Sequence, residues 1–204
     1  MTGPTSEVAG VLLAAGGGSR FGGPKALVEF EGERLADRGV RLLADGGCGP
    51  VVAVLGAAPT ALPGAVTVVN PDWATGMGSS LRAGLRAVPG SARAAVIALA
   101  DQPLIRPAAV RRLIEAFEAG AEVAVAEYGG QPRNPVLISR AHFAEVCALA
   151  EGDVGARPFL RARPELVTRV ACDDAGDPAD VDTLEDLRRL SAVRADVDRR
   201  PPGR

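Results

Sequence analysis

The segment VAGVLLA at residues 8–14, running directly into AGGGSRFGGPK at residues 15–25, decides how the rest of this chain is read. The first part is apolar at every position, the pattern of a strand buried on both faces. The second part is rich in glycine and holds two cations, Arg20 and Lys25. Glycines let backbone N–H groups converge on phosphate oxygens without obstruction from a Cβ. Arg20 can grip a phosphate with its planar fork, while Lys25 brings a movable point charge. The plain alternative is a flexible surface turn.

Spacing separates the known phosphate loops. Gly18 and Gly23 have the separation of a Walker loop, but Pro24 intervenes before Lys25 and no Ser or Thr follows. A dinucleotide fingerprint starting at Gly16 needs glycine where Phe21 stands, and the second strand ends at Gly56 with no acidic ribose ligand. The pattern L-x-A-G-x-x-x-R-x-G-x-x-K is met by Leu13, Ala15, Gly16, Arg20, Gly22 and Lys25.

Outward from this loop, short apolar runs recur between segments of helical spacing. Strands are expected at 8–14, 51–56, 66–70, 94–100, 122–128, 135–139 and 166–172, and helices at 35–44, 80–88, 107–119 and 184–190. Their alternation indicates one α/β domain over residues 1–191, doubly wound in three layers around a mostly parallel sheet. Residues 192–204, ending in RRPPGR, are expected to be a disordered tail. Ligands of such sheets sit beyond the carboxyl ends of the strands.

Composition narrows the classes of function. Hydrophobic residues are 47% and aromatics 3%, so the core is aliphatic; net charge is -2 with no basic block, which argues against a nucleic-acid binder. Three cysteines far apart, with no C-x-x-C pair, and a single histidine, His142, argue against a zinc centre. Neither a signal peptide nor a membrane span is expected, and the protein is read as soluble and cytoplasmic.

Three further stretches carry chemistry. Asp101 ends the strand at 94–100 and opens Asp101-Gln102-Pro103, where a carboxylate points into the crevice or simply opens a turn. Asn70 to Ser80 leads from a strand into a helix, so its glycines and serines suit an anion or ribose, or a cap by Ser79 or Ser80. Trp73 within it can pack or stack. Asp180-Val181-Asp182-Thr183 precedes a helix that Asp182 or Thr183 can cap.

Together these residues resemble the MobA-like NTP transferases, across roughly Val8 to Leu190, and within that group the molybdenum cofactor cytidylyltransferases (MocA-like). The resemblance implies a Rossmann-like nucleotidyltransferase fold of the GT-A-like kind. It implies that Leu13, Ala14, Ala15, Gly16, Gly17, Gly18, Ser19, Arg20 and Lys25 wrap the triphosphate. Arg20, Lys25 and Asp101 are then the catalytic set. Asn70, Gly76, Met77, Ser79 and Ser80 match N-x-x-W-x-x-G-M-x-x-S, an element that helps hold the nucleotide. Asp101 and Asp182 would hold Mg2+, the latter through its match to D-[IV]-D-T-x-E-D. Leu13-Ala14-Ala15-Gly16 is the version that accompanies cytosine, hence CTP. Arg133 and Asn134, and Gly152, Asp153 and Arg157, resemble the acceptor elements R-G-[HN]-P and G-D-x-G-A-R, although the glycine expected after Arg133 is missing. The implied acceptor is molybdopterin carrying molybdenum, with transient contact to a molybdenum hydroxylase. Alternatives are a sugar phosphate, a polyol phosphate or phospholactate as acceptor, or a non-catalytic carrier of the cofactor.

Overall fold

The computed structural model describes residues 7–18 and 21–199. Strand β1 (Val8–Ala14) is buried along its whole length. It pairs in parallel with β4 (Val51–Leu55) on one side and β6 (Ala94–Leu99) on the other. The sheet extends outward to β5 (Ala65–Val69) at one edge and through β8 (Gln131–Ser139) and β7 (Val123–Tyr128) to β9 (Val167–Ala171) at the other. Within this seven-stranded sheet all pairings are parallel except those of β8, which runs antiparallel to both β6 and β7. The architecture is the three-layer, mostly parallel one that the alternation of elements indicated.

Successive side chains of β1 serve opposite layers, as the two-residue period of a strand requires. Leu12 joins Leu43, Val96 and Leu113 beneath α1 (Leu35–Asp45) and α3 (Pro107–Glu118). Val11 and Leu13 join Leu81, Ile97, Ile138 and Phe159 beneath α2 (Met77–Ala87), α4 (Phe143–Leu149) and α5 (Arg157–Ala162). Two helices lie against β1 through glycine. A Cβ on Gly39 of α1 would stand 2.5 Å from Leu12 Cδ1, and one on Gly84 of α2 would stand 2.6 Å from Val11 Cγ1.

A third cluster, Phe30, Leu35, Val181 and Leu190, ties the hairpin β2 (Glu29–Phe30) and β3 (Glu33–Arg34) to α6 (Leu184–Arg199). The segment expected to be disordered from Ala192 is helical as far as Arg199. It contains no helix breaker before Pro201. Residues 200–204 lie outside the described residues. Helix α2 begins at Met77, not at Ser80. Among the described residues, no helix is long and apolar enough to cross a membrane.

Candidate active site

Leu13 lies opposite Leu99, and the Ala100 N–H donates to the Leu13 carbonyl at 3.1 Å. The glycine-rich loop and Asp101 therefore leave the sheet side by side at its carboxyl edge. The loop closes on its own backbone. Lys25 N–H donates to Gly16 O at 3.3 Å, and the Phe21 and Gly22 N–H groups donate to Gly18 O at 2.8 and 3.0 Å. Gly18 has a φ of +59°, and a Cβ there would stand 2.0 Å from the Gly23 carbonyl oxygen. No other residue fits that turn. Leu13, Ala14 and Ala15 are buried, with the side chains of Leu13 and Ala14 in the two cores, so what they offer a ligand is backbone and position. Gly16 is exposed, and Gly17 and Gly18 are half-buried. Ser19 and Arg20, the other expected phosphate contacts, lie outside the described residues.

Lys25 opens a single 3-10 turn, Lys25–Leu27, and its side chain reaches two carboxylates from distant parts of the chain. Its Nζ donates to Asp101 Oδ2 at 2.9 Å and to Asp182 Oδ1 at 2.6 Å. Burial pulls the ammonium's pKa down, but the charges of Asp101 and Asp182 and its hydrogen bonds to both outweigh this, leaving it raised. Asp182 is free to face Lys25 because Thr183 is the residue that caps α6. The Asp186 N–H donates to Thr183 Oγ1 at 3.1 Å, and the Thr183 N–H returns to Asp186 Oδ2 at 3.0 Å. This is a capping box. The preceding Val181 N–H donates to the Asp101 carbonyl at 2.8 Å, which locks the two aspartate-bearing segments together.

Asp101 has one feature that suits a hard cation. Asp101 Oδ1 is buried with no hydrogen-bond partner among the described residues, a costly state that a metal ion would relieve. No group of three or more His, Cys, Asp or Glu is placed to hold a metal ion among the described residues. The remaining ligands would be substrate phosphates and water, the usual arrangement for magnesium.

The segment 70–80 is held from within. The buried Asn70 amide donates to Ser79 Oγ at 2.8 Å and to Ser80 Oγ at 3.0 Å, and its carbonyl accepts the Asp72 N–H at 3.0 Å. Neither serine caps α2; Gly76 stands at that position with φ +114°. Trp73 packs over the loop, since a Cβ on Gly17 would meet its ring at 2.8 Å and one on Gly56 its Cβ at 2.5 Å.

The expected acceptor residues divide between two places. Arg133, Asn134 and Arg157 line a cleft of about 880 Å³ together with Gln102, Asp180, Arg161 and Arg169. Because β8 is antiparallel, its beginning lies at the same edge as the carboxyl ends of β6 and β7 and delivers Arg133 there. Asn134 and Pro135 fall in the register shift opposite Val125 and Ala126. Bulges of this kind re-aim side chains beside active sites. Arg169 pairs with Glu127 at 3.1 Å. By contrast Gly152 and Asp153 lie against the start of α2: the Met77 N–H donates to Asp153 Oδ1 at 3.2 Å, and a Cβ on Gly76 would stand 2.4 Å from the Gly152 carbonyl carbon. Arg161 and Arg169 were not among the sequence candidates. A signal existed for Arg161, four residues after Arg157 and so on the same helix face.

Comparison with known proteins adds names to this geometry. The model of the MobA-like NTP transferase domain matches residues 10–168. A protein of Paenarthrobacter nicotinovorans named nicotine blue oxidoreductase is 39% identical over 197 residues, spanning 90% of this chain and 96% of its own. A crystal structure from Mycobacterium sp. strain JC1, a homologue of Mycobacterium tuberculosis Rv0371c, superposes with a TM-score of 0.82 at 33% identity, covering 95% of this chain and 99% of that one. The structure of Rv0371c from Mycobacterium tuberculosis H37Rv in complex with manganese gives 0.75 at 33% identity, covering 90% of this chain and 97% of that one.

Proposed function

Since the chain belongs to the MobA-like NTP transferase domain family, we propose that it transfers CMP from CTP to the phosphate of molybdopterin carrying molybdenum, with release of pyrophosphate. The observation that carries this reading is the convergence of Lys25, Asp101 and Asp182 beside the glycine-rich loop. The loop's backbone and Lys25 would hold the triphosphate. Asp101 and Asp182 would hold the metal ion, which when bound neutralises charge on the phosphates. The arginines of the neighbouring cleft would orient the acceptor. An acceptor phosphate oxygen attacks the α-phosphorus, the bond between that phosphorus and the bridging oxygen breaks, and the electron pair leaves with pyrophosphate. A phosphate monoester is already anionic near neutral pH, so no histidine or cysteine base is required. Positioning and charge neutralisation supply the acceleration.

The test is pyrophosphate release from each of the four common triphosphates, with Mg2+ or Mn2+, against molybdopterin and simple phosphate esters. Release is expected from CTP only when metal and molybdopterin are both present. Tight binding of molybdopterin without any pyrophosphate would replace this reading with that of a carrier. A second reading, oxidoreductase activity on nicotine blue, is favoured by the name of the Paenarthrobacter relative. Its test is a colour change of nicotine blue when this protein is incubated with the dye and a hydride donor such as a reduced nicotinamide dinucleotide, with none when the protein is left out.

A further inference from the structure

Lys25 is the single lysine of the chain, against 23 Lys and Arg in all. Every other basic side chain except the one histidine is an arginine. The position is one where the difference matters. A lysine ammonium is a compact point charge on a flexible stem, whereas a guanidinium is a wide planar fork. Here the ammonium sits where a small cation would sit, shared by two carboxylates that come from segments 76 and 157 residues away. Its backbone is fastened to the phosphate loop through the hydrogen bond to Gly16 O. A ligand that reshapes the loop therefore acts on Lys25 directly.

We infer that Lys25 is the internal occupant of the metal position: in nucleotide-free protein its ammonium and a divalent cation exclude each other from Asp101 and Asp182. This rests on the transferase reading for one further step, in which the triphosphate draws the ammonium onto its phosphates and leaves the carboxylates to the metal. Empty of nucleotide, the site resists stray cations. With nucleotide bound, it acquires a metal site and loses a competing charge in the same movement.

Two measurements test the exclusion without any turnover. The first is Mn2+ binding to nucleotide-free protein, followed by electron paramagnetic resonance of the free ion, in wild type and Lys25→Met. Removing a direct competitor should tighten Mn2+ binding by at least about tenfold. A lysine that only braced the fold would leave binding unchanged or weakened, and either result overturns the inference. The second uses wild type alone. An amine-directed reagent can modify only Lys25 and the chain's amino terminus, and peptide mass spectrometry separates the two. Because exclusion is reciprocal, Mn2+ added without nucleotide should raise the labelling of Lys25, and a flat response overturns the inference. If both measurements show exclusion while no triphosphate protects Lys25 from the reagent, the exclusion stands and the transferase reading falls.

Discussion

Among the described residues, Asp101 pairs with Lys25 and leaves its second oxygen buried and unpartnered. Such an atom is tolerated where a ligand completes it. Asp101→Ala is expected to lower pyrophosphate release by a factor of about 10² or more, the scale seen when one stabilising group is removed from a charged transition state. Undiminished turnover in that variant would remove Asp101 from the metal site. Lys25 gives a pH signature. Its pKa is raised on folding, so the folded chain holds this proton more tightly than the unfolded chain does. The stability it contributes is full below the ordinary lysine value of 10.5 and fades as pH climbs through the raised value. In chelator-treated protein, the gap in melting temperature between wild type and Lys25→Met should hold across neutral pH and close only in strong alkali. A gap that closes near neutrality would point to another group. At this scale the loop was legible, because the spacing of glycines and cations states a backbone requirement directly. The placement of Lys25 between two aspartates was not, since sequence spacing says nothing of contacts 157 residues apart.

The central strands were legible for a simple reason. A strand covered on both faces has no polar positions to blur its limits, and β1 and β6 fall within a residue of expectation. The start of β8 was obscured by Pro132 and Pro135, which lack the N–H a ladder needs. The register shift at Asn134 and Pro135 accommodates Pro135. The onset of α2 was obscured because its first turn, Met77-Gly78-Ser79, is poor in helix formers; it is fixed instead by Asn70 from below. Asn70→Ala would remove its bonds to Ser79, Ser80 and the Asp72 N–H, while Ser79 Oγ keeps its bonds to the Asp72 and Gly76 carbonyls. The loss is about 2 kcal/mol and the melting point falls by about 4–8 °C. A change under one degree would show that Asn70 is not the brace. Gly84 gives a prediction against ordinary helix propensity. Glycine to alanine inside a helix normally stabilises it by about 1 kcal/mol. Here the new methyl meets Val11 and Val54 at 2.6 and 3.0 Å, so Gly84→Ala should instead cost about 1–3 kcal/mol, read by chemical denaturation.

Across the whole molecule, the two halves of the site share a seam. The start of α2 and the segment 150–155 meet so closely that Gly76 and Gly78 could not carry a Cβ without striking the backbone of Gly152 or Ala150, and Asp153 completes the contact at Met77. Amide hydrogens of residues 77–80 and 152–155 should therefore gain protection together when a triphosphate binds. Protection confined to one side would show that the seam carries nothing across. The three-layer fold was legible from the alternation of elements, but this seam was not, because glycine spacing in a loop looks the same whether it serves a turn or a close approach.

The same contact bears on how the chain is made. Met77 and Asp153 are 76 residues apart, and closing so long a loop is entropically costly and slow compared with forming local contacts. As the chain emerges from the ribosome, the glycine-rich loop and α2 are complete long before the segment that backs them has been synthesised. The site thus becomes competent only after most of the sheet has assembled, and a nascent chain halted before Gly152 would expose the beginnings of a nucleotide pocket that cannot yet close.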